Sequence, residues 1–307
     1  MSGDSLLWVP VVLWATLAQT ARNAAQRSLV AQAGTLGATL ARFLYGVPFA
    51  ALWVLAVHAW PASATPLPPF GSGWFGWLLV GAVSQVAATA FLLAVMKQRN
   101  FVIGVAYSKT DALQVALFAT LLLREWPAWT TMLAMALATA GVLLLSLPRK
   151  PRDMAGGGQA WTGSAALWGL ASGACFAMSS VGYRGAALEL PGVSPWVTGA
   201  WGVLWAQAIQ TLLLGGWLAW RSPASLRAIA TAWRVSTLAG ATGALASIGW
   251  FTAFAMTTAA NVRTLGLAEV VFSYLVSRRL MQEKLAPMET IGLSLVVVGL
   301  LAMFAGL

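Results

Sequence analysis

Charge is what this sequence has least of. Only 8% of its 307 residues are Asp, Glu, Lys or Arg, and eight of them are acidic. Soluble domains carry about 25% charged residues, so a chain 59% hydrophobic with a mean hydropathy of +0.77 cannot cover a water-facing surface. One cysteine, Cys175, excludes an intramolecular disulfide, and one histidine, His58, leaves little for a His/Cys metal site. No metal and no cofactor are expected. Nothing resembles a phosphate loop, a nucleophile with its base, or a carboxylate cluster at metal-ligand spacing, so no enzyme chemistry is expected either. Met1–Ser5 hold no Lys or Arg and so lack the basic region of a cleavable signal peptide. Strict polar–apolar alternation is absent as well, which excludes a β-barrel.

Long apolar runs are present instead, each near the roughly 20 residues that a membrane helix needs. Read between Pro, Gly and charge punctuation, they give ten spans at 6–28, 34–58, 73–96, 101–123, 128–147, 161–183, 195–219, 234–256, 262–280 and 288–306. The expected class is an all-α integral membrane protein. The basic, glycine-rich run PRKPRDMAGGGQ separates a first five-helix repeat (1–148) from a second (161–307), with 149–160 as linker.

The halves are related. An offset of 158 aligns Asp111 with Glu269, Glu125 with Glu283, Ala134 with Gly292 and Gly141 with Gly299, and LWATLA (Leu13–Ala18) loosely matches LWGLAS (Leu167–Ser172). Duplicating an odd number of spans inverts the second copy, an arrangement common in secondary transporters. The net charge of +10 reflects bases beside apolar spans, which points to topology signals and lipid headgroups, not nucleic acid. Thirteen of them (Arg22, Arg27, Lys97, Arg99, Arg149, Lys150, Arg152, Arg221, Arg227, Arg234, Arg278, Arg279 and Lys284) fall at odd-numbered loops. Arg124, Arg184 and Arg263 fall at even-numbered ones. The positive-inside rule then places the linker in the cytoplasm and both termini outside.

AYSKTDALQVALFATLLLREW (Ala106–Trp126) and LGLAEVVFSYLVSRRLMQEKL (Leu265–Leu285) are each followed by a glycine-containing apolar helix, and span two carries ARF (Ala41–Phe43). With the five-plus-five layout, these segments resemble the fourth and ninth spans of the drug/metabolite transporter superfamily, in its ten-span family of bacterial metabolite exporters. The resemblance implies an alternating-access carrier in the bacterial inner membrane, with a central cavity between the repeats for a small organic solute, often an amino acid. Many members have cytoplasmic termini; the charge pattern here places them outside.

Ionisable residues inside membrane helices are costly and mark function or pairing. Asp111 and Glu269 occupy matching depths, either as carboxylates that bind an amine or exchange protons, or as partners of buried bases. Tyr107, Asp111 and Gln114 share one helical face. Lys109 points elsewhere and suits either a substrate carboxylate or a neighbouring acid. Thr16, Gln19, Arg22, Asn23 and Gln26 form a polar stripe on span one that must face protein or water. Arg22 fits the cavity or the headgroups, whereas Arg42 is expected to be structural. Gln85, Trp168, Ser179 and Trp250 complete the candidate cavity lining. The 17 Trp belong mainly at membrane interfaces. Glu125 and Glu283, ahead of Pro127 and Pro287, suit the N-termini of the fifth and tenth helices. Ala134, Gly141, Gly292 and Gly299 allow close helix packing.

The expected function is export of a small amphipathic metabolite, an amino acid or related zwitterion, by a monomer or weak homodimer in the lipid bilayer, with proton coupling, facilitated diffusion and exchange all left open. Two rivals stand beside it: a proton-coupled efflux carrier for cationic drugs, and a membrane enzyme acting on lipid-linked substrates, which the short loops disfavour.

Overall fold

The computed structural model describes residues 6–59, 67–96, 110–145, 164–272 and 287–304. Its helices are α1 (Trp8–Leu44), α2 (Val47–Ala59), α3 (Ser72–Met96), α4 (Asp111–Leu123), α5 (Trp129–Leu145), α6 (Ser164–Leu188), α7 (Pro195–Arg221), α8 (Pro223–Thr231), α9 (Trp233–Met256), α10 (Ala259–Gly266) and α11 (Pro287–Phe304). No strand occurs among the described residues. Four helical stretches are long and apolar enough to cross a membrane: Ser28–Ala59, which joins the end of α1 to α2, Ser72–Leu92, Pro195–Arg221 and Trp233–Met256. Asp111–Leu123, Trp129–Leu145 and Thr290–Phe304 are shorter apolar helices. Rows of exposed leucines, such as Leu52 and Leu55 on α2 and Leu212 and Leu213 on α7, suit a lipid solvent.

The helices form two compact units, Met1–Val86 with Gly182–Thr257, and Ala87–Val181 with Thr258–Leu307. Each unit draws on both sequence halves. In the first, Leu29, Leu40, Phe43, Leu214, Leu218 and Ile229 build an apolar core. In the second, Met135, Val142, Leu267 and Val296 do so.

Several expected boundaries move. Spans one and two are joined without a loop: α1 is two helices that meet at Gly34, the expected first residue of span two, whose φ of 67° and ψ of 171° belong to a region only glycine enters readily, and span two continues past Leu44 into α2. The break folds the chain back so that Gln26 Nε2 donates to the Ala38 carbonyl oxygen at 2.9 Å. Gln26 therefore closes this corner, and does not extend a cavity stripe. Nothing lies within 4 Å of where a Gly34 Cβ would stand, so Gly34→Ala isolates backbone strain. It should cost about 1–3 kcal/mol, read as a lower melting temperature in detergent; an unchanged value would show that the break tolerates any residue.

The loop between spans seven and eight contains α8, whose Ile229 is buried and whose Ile229 carbonyl oxygen accepts from Ser236 Oγ at 2.9 Å. Two of the three bases assigned to even-numbered loops are helical. Arg184 lies in α6 and donates from Nη1 to the Phe254 carbonyl oxygen (2.7 Å), near the C-terminus of α9, where carbonyls lack helical partners. Arg263 lies in α10. Both are drawn inward because buried partners need them, a demand that counting charges along the chain does not reveal.

Exposed Trp129, Trp220 and Trp233 sit at helix ends and exposed Trp126 lies between α4 and α5, and the Arg221 and Arg234 guanidinium groups lie over the Trp220 and Trp233 rings. That is the pairing expected at a membrane interface.

In the second unit α5 and α11 cross antiparallel with almost no side chain between them. A Cβ on Gly141 would stand 2.5 Å from the Gly292 carbonyl oxygen, and one on Gly299 would stand 2.8 Å from that of Ala134. The expected small-residue seam is where these helices meet.

Candidate functional site

The first unit gathers polar side chains inside its apolar helices. Gln85 comes from α3, Tyr183 from α6 and Gln210 from α7. Tyr183 Oη donates to Gln85 Oε1 at 2.9 Å, and Gln210 Nε2 reaches both Gln85 Oε1 (2.5 Å) and Tyr183 Oη (3.0 Å). Gln210 is 1% exposed, so this triangle satisfies polar atoms that no water or lipid could. The Tyr183 ring lies against Phe251, with centroids 4.1 Å apart. On α9, the buried Trp250 donates from Nε1 to Gln19 Oε1 on α1 at 3.0 Å. Arg22 donates through Nε (3.2 Å) and Nη2 (2.7 Å) to the Oδ1 of the exposed Asn23. Of the expected residues, the structure thus places Gln19, Arg22, Asn23, Gln85 and Trp250 in this unit.

Arg42 is the unresolved charge of that group. It lies in the last turn of α1, with its guanidinium over the Phe43 ring at 4.3 Å. Nε and Nη2 are buried and make no hydrogen bond. Arg22 and Tyr183 are within electrostatic range, the first repelling its charge. The stems of the two arginines meet at Gly243: a Cβ there would stand 3.4 Å from Arg42 Cβ and 3.5 Å from Arg22 Cδ. Burying an ion costs several kcal/mol, whereas a cation–π contact returns about 0.5–2. Phe43 therefore does not balance the charge. Gln207, on α7 and 3% exposed, leaves its Oε1 buried without a donor. The only carboxylate among the described residues of this unit is Glu189, exposed and beside Gly73.

The second unit holds Asp111, Gln114, Glu269, Trp168 and Ser179. Asp111, the first residue of α4, is 4% exposed and is paired with Arg263 of α10. Glu269 is half-buried and lies in electrostatic range of the same guanidinium. The two carboxylates aligned by the offset of 158 thus both lie within electrostatic range of one guanidinium, which is paired with Asp111. Gln114 Nε2 donates back to Thr110 Oγ1 at 2.9 Å. Thr131 Oγ1 donates to Asn261 Oδ1 at 3.0 Å. Glu125 Oε2 accepts from the Ala259 backbone N–H at 3.4 Å. That carboxylate does serve a helix N-terminus, but of α10 and not of α5, because the chain reversal after α4 brings it there. Trp168 packs on Phe91, and Ser179 is buried in α6. Tyr107, Lys109 and Glu283 lie outside the described residues.

Among the described residues no three His, Cys, Asp or Glu side chains come together as a metal set. Sequence reasoning missed Tyr183, Gln207, Gln210 and Arg263, and took Arg42 for a structural residue. The run AQAIQ, with two glutamines three apart in an apolar helix, is a signal that could have found the α7 pair. Nothing comparable distinguishes Arg263 from a loop base.

No family model and no curated protein matches this sequence. The chain is similar in fold to a solved crystal structure described only as that of a protein, with a TM-score of 0.67, 17% identity, and coverage of 98% of this chain and 95% of the other.

Proposed function

We propose that this chain is a secondary transporter of the bacterial inner membrane, exporting a small amphipathic metabolite, an amino acid or related zwitterion, by alternating access between inverted repeats. The observation that carries the reading is the set of polar groups held inside the long apolar helices of the first unit: the buried Gln210 and Trp250, the half-buried Gln85, and Arg42 with its buried Nε and Nη2. Such groups are expensive in a bilayer and mark solute pathways. The α5–α11 crossing supports the repeat, because the contacts Gly141–Gly292 and Gly299–Ala134 exchange with each other under the offset of 158. The inward roles of Arg184 and Arg263 leave Arg124 alone as an even-loop base, which supports extracytoplasmic termini and a cytoplasmic linker. Efflux of cationic drugs fits less well: Asp111 already holds a base, and the uncompensated charge in the first unit is positive.

Inside-out vesicles containing the protein should accumulate labelled neutral amino acids saturably and show counterflow when preloaded. Accumulation of cationic dyes alone would overturn the zwitterion reading, and transport of neither would overturn the carrier.

A further inference from the structure

We propose that Arg42 docks the carboxylate of the transported solute, with Arg22 and Tyr183 flanking it; the site is read from geometry, and only the solute's being cargo rests on the carrier reading. Nε and Nη2 are the two nitrogens whose N–H groups point in parallel from one edge of a guanidinium. Both are buried without hydrogen bonds. The edge that fits a carboxylate through two hydrogen bonds is therefore the edge left unsatisfied. The Phe43 ring lies against the group, its centroid 4.3 Å from Cζ, and gives that edge no hydrogen-bond acceptor. A second cation, Arg22, stands nearby, and the one described carboxylate of the unit, Glu189, is exposed beside Gly73. The surroundings therefore attract an anion that the described residues of this unit do not supply. The Tyr183–Phe251 pair and Phe43 add apolar surface for the rest of the solute. Lysine would keep the charge but lose the parallel N–H pair.

The test uses purified full-length protein in detergent free of anionic lipid. Thermal stabilisation is titrated with N-acetyl-glycine, N-acetyl-leucine and N-acetyl-phenylalanine, which carry a carboxylate and no amine, and with the corresponding amino acid amides, which carry the amine and no carboxylate. At least one N-acetyl compound should raise the melting temperature, and the amides should not. Arg42→Gln should weaken that apparent affinity at least about thirtyfold, and Arg42→Lys less. Stabilisation by the amides alone, by no compound, or equally in Arg42→Gln and wild type overturns the assignment. So does phosphatidylglycerol binding that the N-acetyl compounds cannot compete, since the occupant is then a lipid phosphate. If Arg42→Gln does not fold, Arg42→Lys and the wild-type comparison of acids with amides decide. Counterflow in proteoliposomes separates the two readings: Arg42-dependent binding without transport removes the carrier alone, and transport undiminished in Arg42→Gln removes the site alone.

Discussion

Asp111→Asn should fail to accumulate as stable protein, while Asp111→Leu combined with Arg263→Met should recover much of the loss. Asp111 is buried and paired with Arg263. Breaking a buried pair from one side typically costs about 3–5 kcal/mol, because the remaining charge is left uncompensated, whereas replacing both partners with apolar residues is often neutral or stabilising. Glu269 stays within electrostatic range of Arg263, so the loss should fall toward the lower end of that range. Glu269→Gln, which leaves the Asp111 pair intact, should cost less. The measurement is the melting temperature of each purified variant, with the folded yield. The alternative from the sequence is that Asp111 carries transport and not structure: Asp111→Asn would then purify normally and lose gradient-driven transport. A stable Asp111→Asn would remove the structural account, and unchanged transport in that stable variant would remove the functional one as well.

Gly141→Ala should destabilise the second unit by about 1–3 kcal/mol, and Gly141→Leu should do so more severely. The added Cβ would lie 2.5 Å from the backbone oxygen of Gly292, and backbone cannot step aside as a flexible side chain can. Gly299→Ala meets the Ala134 oxygen at 2.8 Å in the same crossing. Once α5 and α11 have separated to admit one methyl group, the second finds part of its space already open. Combining the two should therefore cost less than the sum of the singles. Gly216→Ala is the control, with nothing within 4 Å; it should be neutral or gain up to about 1 kcal/mol from helix propensity. Thermal melts of the five variants beside wild type check this, and a tolerated Gly141→Leu would show that the helices do not meet at this seam.

How much was legible in the sequence varies by residue. The seam was readable because close packing needs small residues at a helical repeat, and Ala134, Gly141, Gly292 and Gly299 display that directly. Tryptophan's preference is for a membrane depth and not for a partner, and the exposed Trp129, Trp220 and Trp233 do stand at helix ends. Spans one and two were expected as separate helices, and they are, but the single residue Gly34 divides them in place of a loop; a glycine permits that conformation without announcing it. The polar stripe of span one was visible as a periodicity, yet its members part company in space: Gln19 meets Trp250, Gln26 closes the Gly34 corner, and Arg22 bonds Asn23.

The sequence by itself determined that this protein is built of apolar helices suited to a bilayer, and where its bases, small residues and buried acids stand along them. Those properties follow from the cost of transferring each side chain into hydrocarbon, which is local to the chain. Only the tertiary structure decided which of the costly groups are compensated. Arg263 reaches Asp111, 152 positions away, and Gln210 reaches Gln85 and Tyr183, whereas Arg42 keeps an unsatisfied edge. A buried charge is stabilised or stranded by atoms within a few ångströms, and which atoms those are depends on how the helices cross.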